Sequence, residues 1–173
     1  FSPTIFDSKI YMFENEYRQV NKNSNFIADF GYVNGYKSSL EGSGKNSLSH
    51  IFAKFNSSLT INNFLTGDVA AFFEKTSNDT YLRVFDANIK STILPSSTNQ
   101  LKSGFELDLD QEDYNLTTGM TAYESLSGHN SDRYQYILPY YDYSKDINTN
   151  LNGYLTFSSS GSNNLRDTNN LRS

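Results

Sequence analysis

The sequence predicts an all-β fold: antiparallel up-and-down strands of the transmembrane β-barrel type, about eight of them, in an open curved sheet. Three observations lead there. The run 101–110, L-K-S-G-F-E-L-D-L-D, places Leu101, Phe105, Leu107 and Leu109 on one parity and Lys102, Glu106, Asp108 and Asp110 on the other. Successive strand side chains point to opposite faces, so this strand has one apolar and one charged face. The same contrast recurs in segments about as long as a tilted membrane-crossing strand, roughly 9–11 residues. The connections alternate between short and long, as tight turns and long loops do on the two rims of an outer-membrane barrel.

The first strand is expected over 4–20, with Tyr11, Phe13 and Tyr17 on one parity. The second covers 25–33, where Phe26, Ala28, Phe30 and Tyr32 oppose Asn25, Asp29 and Gly31. The third covers 48–61, with Ile51, Ala53, Phe55, Leu59 and Ile61 against His50, Lys54, Asn56 and Thr60. In the fourth, 66–77, Val69, Ala71 and Phe73 oppose Asp68 and Glu74. The fifth is 101–111. The sixth, 114–125, sets Tyr114, Leu116, Met120 and Ala122 against Asn115, Thr117, Gly119 and Thr121. The seventh, 132–144, carries Tyr134, Tyr136, Leu138 and Tyr140 on one face, with Pro139 removing one ladder donor. The eighth, 151–160, carries Leu151, Leu155 and Phe157. No segment sustains a helical period, and 78–100 leaves room for a further short strand around 81–85.

The short connections are 21–24, 62–65, 112–113 and 145–150; the longer ones are 34–47, 78–100 and 126–131. If the short turns face the periplasm, the first strand descends from outside. Barrels normally start on the periplasmic side, so the chain is expected to begin at an even-numbered strand of a longer protein, with 1–173 one partial barrel domain.

Composition is compatible with that class. Mean hydropathy is −0.59, and no run of about 18 apolar residues is present, so no transmembrane helix is expected. A membrane strand needs none, because only alternate residues meet lipid. The chain has 13 Tyr and 13 Phe but no Trp. Tyrosine suits a membrane–water interface, its ring in the apolar layer and its hydroxyl in water. The net charge of −5 argues against non-specific nucleic-acid binding. Without cysteine there is neither a disulfide framework nor thiolate chemistry.

Chemistry-bearing clusters read as structure. Glu106, Asp108 and Asp110 share a face with Lys102 because of the strand period. They are expected to form a hydrated lumen wall rather than an acid–base pair or cation site. Glu14, Glu16 and Arg18 read the same way. His50 and His129 are the two histidines, and His129 stands near Ser127 and Ser131. Sequence spacing cannot show a triad, so no catalytic residue, metal site or cofactor is expected.

Three strings, in order, resemble the LPS-assembly protein LptD of Gram-negative outer membranes. The first is Glu14-Asn15-Glu16-Tyr17-Arg18, leading to Ala28-Asp29-Phe30-Gly31-Tyr32. It is similar to the family's early E-N-E-[FY]-R and D-x-x-Y runs. The second, Thr76-Ser77-Asn78-Asp79-Thr80-Tyr81-Leu82, is similar to an S-D-x-x-Y-[LF] element at a strand end. The third, Ser131-Asp132-Arg133-Tyr134-Gln135-Tyr136-Ile137-Leu138-Pro139, resembles an R-Y-x-Y-x-x-P strand. The resemblance covers essentially the whole chain and puts residue 1 near the second strand of a very large barrel.

The resemblance implies a membrane-embedded part, in the cell outer membrane, of the translocon that inserts lipopolysaccharide into the outer leaflet. It implies a lipoprotein plug like LptE, and a periplasmic lipopolysaccharide bridge reached through a jelly-roll domain outside this chain. It also implies a lateral exit seam, for which Pro3 is the candidate because proline donates nothing to a ladder. Phe105, Leu107, Leu109, Leu116 and Met120 are expected to face lipid; Lys102, Glu106, Asp108 and Thr117 are expected to face the lumen. The rival readings are a complete small barrel of structural or adhesion type, a soluble carbohydrate-binding β-sandwich, and an outer-membrane hydrolase. Detergent dependence separates the membrane readings from the sandwich.

Overall fold

The computed structural model describes residues 2–6, 10–35, 47–62, 64–127, 133–149 and 152–166. These form one open sheet of nine antiparallel strands, each paired with its neighbours in chain order. The strands are β1 (Ser2–Ile5), β2 (Tyr11–Val20), β3 (Ser24–Asn34), β4 (Ser47–Thr60), β5 (Leu65–Thr76), β6 (Gln100–Gln111), β7 (Tyr114–Ser125), β8 (Tyr134–Ile147) and β9 (Leu155–Arg166). β1 and β9 are the two ends of the sheet. The β2–β3, β4–β5, β6–β7 and β8–β9 connections leave the sheet at one rim, and the β1–β2, β3–β4, β5–β6 and β7–β8 connections at the other.

The strand expected over 4–20 is two strands. β1 folds back on β2 with Pro3 opposite Phe13 and Ile5 opposite Tyr11. The first strand therefore runs toward the long-loop rim, and the direction inferred from an unbroken strand does not hold. The alternation argument saw one strand because its apolar markers begin only at Tyr11.

Register carries the two-faced pattern across the sheet, since directly opposed residues share a face. Tyr17 opposes Ala28, which opposes Ala53, which opposes Phe73. Val69, Leu107 and Thr118 continue that face, followed by Tyr141. The other face runs through Asp68, Asp108, Thr117 and Asp142 to Ser160. The apolar face leaves Phe30, Ile51, Phe73, Phe105, Met120 and Phe157 exposed.

The expectation for 132–144 fails at its middle. Register shifts between Ile137 and Tyr140, where Leu138 and Pro139 form a β-bulge. Two residues oppose one there, and the parity of everything beyond inverts. Tyr140 consequently joins the polar face opposite Gly119, while Tyr141 and Tyr143 join the apolar face. Leu151 lies outside the described residues; Leu155 and Phe157 share the apolar face.

The segment 77–99 holds no strand. It forms the short helix α1 (Tyr81–Phe85) and a 3₁₀ turn, Asp86–Asn88. Asn78 starts it: its Oδ1 accepts the Thr80 N–H and the Thr80 hydroxyl, both at 2.7 Å. Such a local side-chain bond favours a turn over continued strand. Tyr81, Leu82 and Phe85 then fall on one helix face and are buried.

That helix covers the polar face at the long-loop rim. Met12, Val33, Leu48 and Phe52 from the sheet form the core with Tyr81, Leu82, Phe85 and Ile89. Full burial of each such side chain stabilises by roughly 1.5–3 kcal/mol before chain entropy is counted. This core ties the segment down without a second sheet.

Candidate functional site

The covered end of the polar face gathers the polar groups that the sequence scatters. At its centre Asp29, on β3, lies beside His50, on β4, with Oδ1 3.2 Å from Nε2. A carboxylate only accepts, so Nε2–H donates. In the neutral imidazole Nδ1 then accepts from the Tyr81 hydroxyl, at 2.8 Å. The imidazole stacks on Phe52, ring centroids 4.3 Å apart. Gly31 lies opposite His50 in the ladder, and a Cβ there would run into the imidazole. Burial, and then the charges of Glu14 and Asp29, push the Tyr81 hydroxyl well above its ordinary range.

The His50 and Asp29 side chains are 0% and 3% exposed. Enclosed to that degree, the triplet fixes α1 to the sheet and offers no surface to a substrate.

A second group of contacts holds the end of the segment. Glu14 Oε1 accepts the Lys90 N–H at 2.8 Å. Glu16 accepts the Thr92 N–H and hydroxyl, at 3.3 and 3.0 Å, and pairs with Arg18. The hydrated wall expected at Glu14 does not form: its carboxylate is buried under the segment, and its Oε2 has no hydrogen-bond partner among the described residues. Parity placed Glu14 on the polar face but could not show what covers it.

A third group, with Lys75 and Glu124 on the apolar parity of the sheet, anchors the start. Arg133 forks onto Asp79, at 2.9 and 2.6 Å, and also donates to Glu124 at 2.8 Å. Glu124 accepts from Lys75 at 2.7 Å. The Asp79 hydrogen bonds, then Glu124, hold the Arg133 guanidinium charged well beyond its ordinary range. Bidentate pairing of this kind sets orientation as well as energy.

The remaining predicted residues lie toward the short-turn rim or along the strands. Lys102, Glu106, Asp108 and Thr117 share the polar face. Asp108 accepts from the Thr117 hydroxyl at 2.6 Å, and Glu106 from Tyr140 at 2.6 Å. The Lys102 ammonium sits over the Phe72 ring, 4.6 Å from its centroid. Phe105, Leu107, Leu109, Leu116 and Met120 share the opposite face. Pro3 stands on terminal strand β1 opposite Phe13, and so on the apolar parity of the sheet. His129 and Ser131 lie outside the described residues.

Between sheet and segment lies a groove of about 450 Å³, walled by Phe72, Ile93 and Leu94, with Lys54, Glu74 and Lys102 among its polar lining. Among the described residues no three His, Asp or Glu side chains are arranged to hold a metal ion. Among the described residues no helix is long and apolar enough to cross a membrane, which says nothing of strands.

Sequence reasoning missed the contacts that join His50 to Tyr81 and Arg133 to Asp79. The available signal was apolar side chains on the polar parity, Met12, Val33, Leu48 and Phe52, all in the strand halves nearest the long loops. No known protein family, curated protein or solved structure matches the chain.

Proposed function

We propose that this chain is part of an outer-membrane β-barrel that delivers lipopolysaccharide to the outer leaflet, with no catalytic step of its own. The observation that carries the reading is the continuous separation of faces over nine sequentially paired strands. A soluble sheet exposing Phe30, Phe105, Met120 and Phe157 on one side needs a cover, and a bilayer is a cover of the right kind. The alternating rims support it, with the long loops outside.

Two of the strings behind the LptD resemblance also meet in space. Asp79 from the second pairs with Arg133 from the third. In this reading the polar face lines a lumen, Phe105, Leu107, Leu109, Leu116 and Met120 meet lipid, and Pro3 stays the seam candidate on the outermost strand. In the same reading an LptE-like plug fills that lumen, and a periplasmic bridge is reached through a jelly-roll domain.

The test is depletion of the protein in its native cell, with membranes fractionated. The expected result is a heat-modifiable protein in the outer-membrane fraction, and loss of surface lipopolysaccharide on depletion. A protein recovered in the soluble fraction without detergent, or unchanged surface lipopolysaccharide, overturns the proposal.

A further inference from the structure

Phe72 stands on the last rung of the β5–β6 ladder, opposite Lys54 on β4 and Gly104 on β6. A Cβ at Gly104 would run into the Phe72 ring, so the ring lies out over β6. Beyond that rung the Lys102 N–H donates to Glu74 Oε2, at 2.7 Å, rather than to a backbone carbonyl. The Lys102 ammonium rests 4.6 Å from the Phe72 ring centroid. A half-buried ring is thus flanked by two lysines, one from each neighbouring strand, and both lysines are exposed. Among the described residues neither of them makes an ion pair. An aromatic face is what remains to a cation that has no acid partner.

Lys54 and Lys102 both line the groove of about 450 Å³ between the sheet and the segment 77–99. Strands β4 and β6 stand two spacings apart, roughly 10 Å. Flexible four-carbon stems let two ammoniums meet on one anion across that distance. Glu74 is the one carboxylate among the described lining residues, and its Oε2 already accepts the Lys102 N–H. Cations therefore outnumber acids two to one. Their mutual repulsion falls when an anion lies between them. The remaining lining is of mixed character. Asn56 donates to Asn25 and keeps its Oδ1 as an acceptor, and Ser96 adds a hydroxyl. Ile93 and Leu94 form an apolar wall beside them.

We propose that this groove binds a phosphorylated sugar, with the phosphate between Lys54 and Lys102. Two ammoniums act on a phosphate as point charges. A sugar ring has hydroxyls at its edge and C–H groups on its face. Asn56 and Ser96 suit the first, and Ile93 and Leu94 the second. The sugar phosphate is either free or the headgroup of a glycolipid. The site belongs to the polar face and stands apart from what covers the apolar one.

The test is calorimetric titration of the full chain, in micelles of an uncharged detergent, with glucose 1-phosphate. The expected result is saturable binding that weakens as salt is raised. Lys54→Gln and Lys102→Gln should each weaken it about tenfold, the equivalent of one charge-assisted hydrogen bond. Lys22→Gln makes the same charge change in the β2–β3 turn, outside the groove, and should leave binding unchanged. Both groove substitutions alter exposed side chains, and circular dichroism matching the parent's shows that each variant is folded. Glucose should not bind at the same concentration, and inorganic phosphate should bind at least tenfold more weakly than the sugar phosphate. Absence of saturable binding, or an equal loss in all three lysine variants, overturns the proposal. So does inorganic phosphate binding as tightly as glucose 1-phosphate, which would leave a site for simple anions. Competition with a lipid-linked sugar phosphate in the same micelles separates the two sources. Displacement assigns the groove to a glycolipid headgroup, and its absence to a free sugar phosphate; either result keeps the site. None of these outcomes bears on lipid contact by the apolar face, so the groove and the membrane reading fail separately.

Discussion

The Tyr81 hydroxyl lies 2.8 Å from His50 Nδ1 and joins helix α1 to strand β4 through a pair of fully buried rings. The contact spans from the middle of an inter-strand connection to the polar face of the sheet. Its loss should be felt by the whole segment. Tyr81→Phe keeps the ring and removes the donor, leaving His50 Nδ1 buried and unpaired. Denaturant unfolding of the chain in micelles should show a loss of about 1–3 kcal/mol. An unchanged midpoint would mean that the hydroxyl contributes nothing.

Gly31 tests the same site from below. With no side chain it leaves room for the His50 imidazole, which a methyl group would displace. Gly31→Ala should cost about 1–3 kcal/mol through overpacking and should disturb the Asp29 contact as well. An imidazole NMR signal unchanged from the parent would contradict this packing.

The Tyr81 hydroxyl also gives the site a pH dependence. In the unfolded chain it titrates near its ordinary value of 10, and in the folded chain higher, because of burial and then the nearby acids. As pH rises past 10 the unfolded state releases the proton first. The stability is whole below that value and falls above it. Unfolding measured on either side of pH 10 should show a steeper loss in the parent than in Tyr81→Phe. Equal slopes would refute the assignment.

Arg133 bridges Asp79 and Glu124, so removing its fork should loosen the start of the segment. Arg133→Lys keeps the charge but loses the bidentate geometry. Hydrogen exchange of the amides in α1 should accelerate, with the strands β3 and β4 unaffected. Equal acceleration across the sheet would show that Arg133 supports the fold generally rather than this connection.

The face assignments predict unequal costs for neighbouring substitutions. In a bilayer, Leu107→Arg near the midplane should cost roughly 2–4 kcal/mol, and Asp108→Arg much less. Folding titrations into phospholipid vesicles measure both. Equal costs would contradict lipid contact on the apolar face.

The sequence by itself determined which residues share a face over most of the sheet, because strand parity is a local property. Leu107 and Asp108 point to opposite sides whatever lies beyond them. It also determined the sequential pairing, since turns as tight as 112–113 allow only an antiparallel neighbour. Parity failed where a local event reset it, at the Leu138–Pro139 bulge that moved Tyr140 to the polar face, and where the apolar markers began too late to reveal the hairpin at 6–10. Only the tertiary structure decided what covers the polar face. A five-residue helix shows too little of its period to be seen in sequence. The partners of Glu14, His50 and Arg133 are set by where 77–99 folds, and not by their own neighbours in the chain. The contacts from Lys90 to Glu14, Tyr81 to His50 and Asp79 to Arg133 exist because a buried core of Met12, Val33, Leu48 and Phe52 gives that segment a place to land.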